Sequence, residues 1–175
     1  MPKPVAWFER KFSPVSETGR LPAIIERLVG TPVRLEEKIH HYTEKVMVAK
    51  TGTDWSIQEH IGHLLNLEGL WYARMSEIIN DETVMSEADL SNQSTFESGY
   101  NDQDPEDLLE TFEEVRSTLI TLLRSVKKED LEKSSLHPRL KIPMKIVDLA
   151  FFIAEHDDHH LAFIQFLAER QVSEH

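Results

Sequence analysis

Apolar residues recur every three or four positions in four separate stretches of this chain, and between those stretches the recurrence lapses. In the first, Leu21, Ile24, Ile25, Leu28 and Val29 share one helical face. Gly30-Thr31-Pro32 interrupts it. Thr is a good N-cap and Pro suits the first helical position, so a second piece starting at Thr31 is predicted to carry Leu35, Ile39, Tyr42 and Val46 inward. Residues 21 to about 46 thus read as one kinked or broken helix. The second stretch opens at Trp55-Ser56-Ile57-Gln58-Glu59, where Ser56 and Glu59 have the spacing of a capping box, each side chain satisfying a free backbone N–H. Trp55, one position before the cap, is placed to pack on His60. This helix is predicted to run to about Ile79, burying Ile57, Ile61, Leu64, Leu65, Trp71, Met75 and Ile78. In the third, Asp104-Pro105 caps a helix in which Leu108, Phe112, Val115, Leu119, Leu122 and Val126 follow one another at spacings of 4, 3, 4, 3 and 4, a seam for packing along a bundle. The fourth runs from Pro143 to Arg170 and gathers Leu149, Phe152, Ile153, Phe163, Ile164, Phe166 and Leu167 on one face.

Residues 1–19 hold Trp7, Phe8 and Phe12 among charges and prolines and read as an irregular arm with three hydrophobic anchors. The arm is expected to pack on the body, exchange across a dimer being the alternative. Residues 80–104 show no periodicity; a 25-residue connection is long enough to cross the end of a bundle and is a candidate lid or pocket wall, anchored by Phe96 and Tyr100. Residues 134–142 form another connector, containing His137-Pro138-Arg139. Four long helices, no convincing strand and a single core predict an all-α four-helix bundle spanning residues 20–175 after the arm.

Composition narrows the chemistry. The 175 residues suit one soluble domain. Of the 31 acidic side chains, 13 lie between Glu77 and Glu114, where there is no Lys or Arg, and the net charge is −12. Such a field repels phosphate backbones, and there is no polybasic cluster for an anionic membrane, so neither nucleic acid nor membrane is an expected partner. No stretch has the length of a signal-peptide core or a membrane span, which makes the cytoplasm the expected location. There is no cysteine, leaving His and carboxylates as the strong ligands for a transition metal.

Histidines occupy the apolar face of the fourth helix. His156, His159 and His160 lie beside Phe152 and Phe163, and three imidazoles ask for more polar partners than an aliphatic interior offers. His156 and His160, one turn apart, can converge on one ion, while the alternative is core histidines bonded to neighbours. A third ligand should come from a facing helix. His60 and His63 on the second helix both qualify, and geometry does not choose between them. His40 and His41 are weaker candidates, and His137 and His175 read as surface residues. Glu68 falls mid-face on the second helix and calls for a cation, a metal or a salt bridge to a neighbouring helix.

Trp55-Ser56-Ile57-x-Glu59-x-x-x-His63-Leu64, followed after a long connection by His156-Asp157-x-His159-His160, resembles the DinB family of metal-binding four-helix bundles. The resemblance covers roughly residues 20 to 170. It implies an up-down-down-up bundle and a metal site at His63, His156 and His160, with His159 not a ligand and His60 in a packing or supporting role. It also implies a divalent transition metal, zinc or nickel first among those that imidazole suits, a small-molecule substrate and a homodimer. Characterised members of the family include thiol S-transferases, a thiol-dependent isomerase and proposed metal-dependent hydrolases. Three neutral imidazoles leave an ion its full charge and an open position, the arrangement of a catalytic site that prepares a thiol or a water as nucleophile. Asp157 and Glu68 are the candidate proton carriers or supporting carboxylates. Arg74 or Arg139 near a pocket mouth would favour a low-molecular-weight thiol as co-substrate, since such thiols commonly carry carboxylates. The competing function is a binding protein that holds metal or a small molecule without turnover.

Overall fold

The structure, a computed structural model, describes residues 2–50 and 52–173; His175 lies outside them. Four long helices, α1 (Leu21–Ile39), α3 (Ile57–Ile79), α5 (Pro105–Ser125) and α6 (Ile146–Ser173), are joined by two short ones, α2 (Glu44–Met47) and α4 (Gln93–Glu97). Each long helix packs along two others: α1 on α5 and α6, and α3 on the same pair. Consecutive helices α1 and α3 therefore sit on a diagonal of an up-down-down-up bundle. Because α3 and α5 run the same way, residues 80–104 must travel back along the bundle between them, which explains the length of that connection.

Helix α3 starts where its capping box does. The Glu59 N–H donates to Ser56 Oγ at 3.0 Å and the Ser56 N–H to Glu59 Oε2 at 2.9 Å, while the Ser56 hydroxyl donates to Asn101 Oδ1 at 2.6 Å. Replacing Ser56 with Ala removes the cap and that tie to the connector together, and urea unfolding should register a loss of about 1–2 kcal/mol.

Three expectations are corrected. First, α1 is one continuous helix through Pro32 that ends at Ile39, and α2 is a separate element capped by Thr43. Proline breaks a helix partly by stranding the carbonyl four residues earlier. Here that carbonyl, Leu28 O, receives a hydrogen bond from Arg116 Nη1 at 3.2 Å. Second, strands β1 (Ser134–Leu136) and β2 (Pro143–Lys145) form an antiparallel hairpin, Val84 bridges to Leu136, and α6 begins only at Ile146. Third, Tyr100 anchors the connector but Phe96 is 56% exposed. Tyr100 lies so close to Gly62 that a Cβ there would meet its ring at 2.3 Å, and its hydroxyl donates to Asn66 Oδ1 at 2.5 Å.

The arm lies on its own chain. Asp148 accepts from the N–H groups of Val15 and Ser16 at 2.6 and 2.8 Å, and Arg10 donates to the Glu155 carbonyl at 3.0 Å and pairs with its carboxylate. Trp7 and Phe12 pack on Phe152 at ring distances of 5.1 and 4.7 Å, whereas Phe8 is 58% exposed. The arm thereby closes one side of the space between α3 and α6 where the histidines lie.

Candidate metal centre

His63 from α3 and His156 and His160 from α6 bring one ring nitrogen each to within 4.8 Å of one another, all three side chains buried. His156 Nε2 and His160 Nε2 stand 3.2 Å apart. Two nitrogens bound to one tetrahedral ion at about 2.0–2.1 Å lie about 3.3 Å apart, so the pair already has the separation a shared ion requires. Outer partners orient two of the rings. Thr95, on α4, faces His63 Nδ1 at 3.1 Å, and a proton placed on Nδ1 to match it frees Nε2. His60 Nδ1 faces His160 Nδ1 at 2.8 Å, which in the same way turns His160 Nε2 inward as an acceptor. His156 Nδ1 has no hydrogen-bond partner among the described residues; its ring is held edge-on by Trp7 and Trp71, at 4.8 and 5.7 Å.

Burial keeps these rings uncharged. It pulls His60 down to about 3 and His63 to about 4, with repulsion from neighbouring histidines adding to the effect. His156 and His160 are pushed well below the usual histidine range for the same reasons. His159 falls to about 4 through burial and the nearby Arg10. A cluster of neutral imidazoles offers lone pairs at physiological pH without competition from protons. The donor set therefore fits a divalent transition ion.

The other residues singled out in the sequence are spread differently. His159 packs on Trp7 and Phe163 at 5.5 and 4.8 Å. His40 and His41 are exposed at the end of α1. His137, expected at the surface, is buried and contacts Arg74. Asp157 is wholly buried, and Glu68 with it. Arg116 joins them: Nε and Nη2 bind Glu68 at 3.0 and 2.6 Å, Nη1 and Nη2 bind Asp157 at 2.6 and 3.2 Å, and the Thr31 hydroxyl donates to Asp157 at 2.7 Å. Burial alone would lower the Arg116 pKa, but the two carboxylates raise it above the ordinary arginine value, so the guanidinium is permanently charged. Sequence reasoning missed Arg116 and Thr95. Arg116 had a signal, lying one turn from Phe112 on the apolar face of its helix; Thr95, in an aperiodic connector, had none.

A cavity of about 670 Å³ opens onto the cluster. His60, His63, His156, His159 and His160 line its wall together with Trp7, Trp71, Phe152 and Phe163, and so do Arg74, His137 and Arg139. Residues 87–90 of the long connection complete the rim, so that segment is a pocket wall.

A four-helix bundle with a buried three-histidine cluster facing a small-molecule-sized cavity defines the class. The chain matches the DinB superfamily family model over residues 27–164 and belongs to that superfamily. YfiT from Bacillus subtilis, described as a probable metal-dependent hydrolase with an unusual four-helix bundle topology, superposes with a TM-score of 0.78 over 93% of each chain at 20% identity. A mycothiol-dependent maleylpyruvate isomerase superposes with a TM-score of 0.66 at 10% identity, over 82% of this chain and 60% of its own. At these identities the likeness establishes the fold. No curated protein matches the chain.

Proposed function

We propose that the protein is a metal-dependent enzyme acting on a small molecule, with His63, His156 and His160 holding a divalent transition ion, zinc or nickel. The observation that carries this reading is the convergence of three neutral, buried ring nitrogens within 4.8 Å at the wall of an accessible cavity. The descriptions of YfiT as a probable metal-dependent hydrolase and of the other neighbour as a thiol-dependent isomerase agree with it. When bound, such an ion supplies Lewis acidity that brings a thiol or a water to a nucleophilic state near neutral pH.

The chain's own residues do the rest. Thr95 and His60 fix ring orientation and tautomer of His63 and His160. Trp7, Trp55 and Trp71 pack on the histidines and exclude water from them. Asp157 and Glu68 are assigned a positioning role: Arg116 grips both carboxylates, and Asp157, next to His156 in the chain, fixes α6 against α1 and α5. Elemental analysis of protein purified without a histidine tag should find about one transition-metal ion per chain, and its loss on chelation should abolish turnover of thiol-acceptor or hydrolytic substrates. Tag-free protein that neither retains nor takes up zinc or nickel would overturn the reading.

A further inference from the structure

Away from the histidine cluster, the same cavity presents hydrogen-bond donors that none of the described residues satisfies. Arg74 is 2% exposed, donates to the Ser86 carbonyl through Nε at 2.9 Å, and has no carboxylate within ion-pair distance among the described residues. Glu77 acts on it only at longer range, its own carboxylate being taken by Ser86. Burial accordingly draws its pKa down to about 10. Arg139 has a buried Nη2 with no partner among the described residues, and its guanidinium rests on the Phe8 ring at 5.2 Å. Trp71 Nε1, likewise buried, is also without a partner among them.

His137 makes the mismatch specific. Its Nδ1 faces the backbone N–H groups of Arg139 and Leu140 at 3.3 and 3.2 Å, so Nδ1 is the acceptor and the ring's one proton sits on Nε2. That N–H looks at Arg74 Nη1, 3.3 Å away, and arginine has no acceptor to offer. Two donors face each other. An oxygen beside them would satisfy both, and a negatively charged oxygen would also neutralise two guanidinium groups that have no counter-ion among the described residues. The three acids on the cavity wall do not fill this role: Asp89 is bound to Ser91 and Gln93, Asp54 faces Lys3, and Glu87 is exposed and pairs with neither arginine.

We infer that Arg74, His137, Arg139 and Trp71 form an oxyanion subsite, which binds a carboxylate or phosphate group of the substrate while its reacting end lies at the histidines. One indole touches both ends: the Arg74 guanidinium lies over the Trp71 ring at 5.6 Å, and the His156 ring meets the same indole edge-on at 5.7 Å. The substrate is then a small anion with an apolar middle that lies along Trp71 and Phe152. This inference rests on the reading that the cavity binds a small-molecule substrate, but it does not require a metal.

The test uses the full chain stripped of metal with a chelator and desalted, so that no ion can hold an anionic probe. Hydrocinnamate, its neutral amide hydrocinnamamide, and phenyl phosphate are titrated calorimetrically. At least one anion should bind about tenfold or more tighter than the amide, the value of a charge-assisted pair in a buried site. Whichever anion is favoured, carboxylate or phosphate, names the head group. Arg139→Gln should erase the preference without moving the melting temperature, since Arg139 is half-buried and forms no ion pair among the described residues; Arg74→Gln should do the same if it folds. Equal binding of the amide, no binding of either anion, or a preference that survives Arg139→Gln would overturn the subsite. Metal content measured on the same preparation before stripping tests the metal reading separately.

Discussion

Replacing Arg116 with methionine is expected to destabilise the protein by roughly 3–5 kcal/mol, the cost of leaving buried charges without their partner. Glu68 and Asp157 are 1% and 0% exposed, and neither has another cation within ion-pair distance among the described residues. The loss reaches further than the ion pairs. Leu28 O, stranded by Pro32, would lose its donor, and α1 would lose the bond that lets it pass through a proline without breaking. The expected signature is a lowered urea midpoint together with weaker amide protection in α1 around residue 32. A variant with Arg116→Met, Glu68→Gln and Asp157→Asn together should recover part of the stability, because removing every charge is less costly than removing one partner. A single variant that loses less than about 1 kcal/mol would mean that the carboxylates are protonated or hydrated in the native protein.

The same network marks where the sequence stops being legible. Helix α3 could be placed to the residue because its start is written locally, in a serine and a glutamate three positions apart. The start of α5 at Asp104-Pro105 is local in the same sense. Pro32 misled because the partner that makes it tolerable, Arg116, lies 84 positions later and carries no local sign of the role. The buried stripe of α5 also runs through Arg116 rather than Val115: Leu109, Arg116, Ile120 and Leu123 are buried, while Val115, a member of the predicted seam, is 36% exposed. The β1–β2 hairpin went unread because strands of three residues leave no room for alternation to show. His137 looked like a surface residue because it stands among Ser, Pro, Arg and Lys; its burial depends on Phe152 and Arg74, which come from other helices. The histidines of α6 were legible for the opposite reason. Polar rings on an otherwise apolar face conflict with the pattern around them, and such a conflict points to function.

Single substitutions His63→Ala, His156→Ala and His160→Ala are each expected to abolish stable retention of zinc or nickel, because each removes one of three nitrogens that converge within 4.8 Å. His159→Ala should leave the ion bound, since that ring packs on Trp7 and Phe163. His60→Ala should fall between, weakening affinity by about 10–100-fold, because His60 orients His160 through the 2.8 Å contact between their Nδ1 atoms. Metal content by elemental analysis after dialysis against a graded chelator separates the three classes. Acid adds an independent readout. His63 and His159 have pKa values depressed to about 4, His60 to about 3, and burial holds His156 and His160 well below the ordinary histidine range, whereas in the unfolded chain each titrates near 6.5. Below 6.5 the unfolded state therefore binds more protons than the folded one, so stability of the metal-free protein should fall as pH drops from about 6.5 to 4, and each His→Ala change should flatten that slope. Bound metal should hold the melting temperature up at neutral pH and release as protons compete for the same nitrogens. Should His159→Ala lose the ion while His156→Ala keeps it, the ligand set would have to be redrawn around His159.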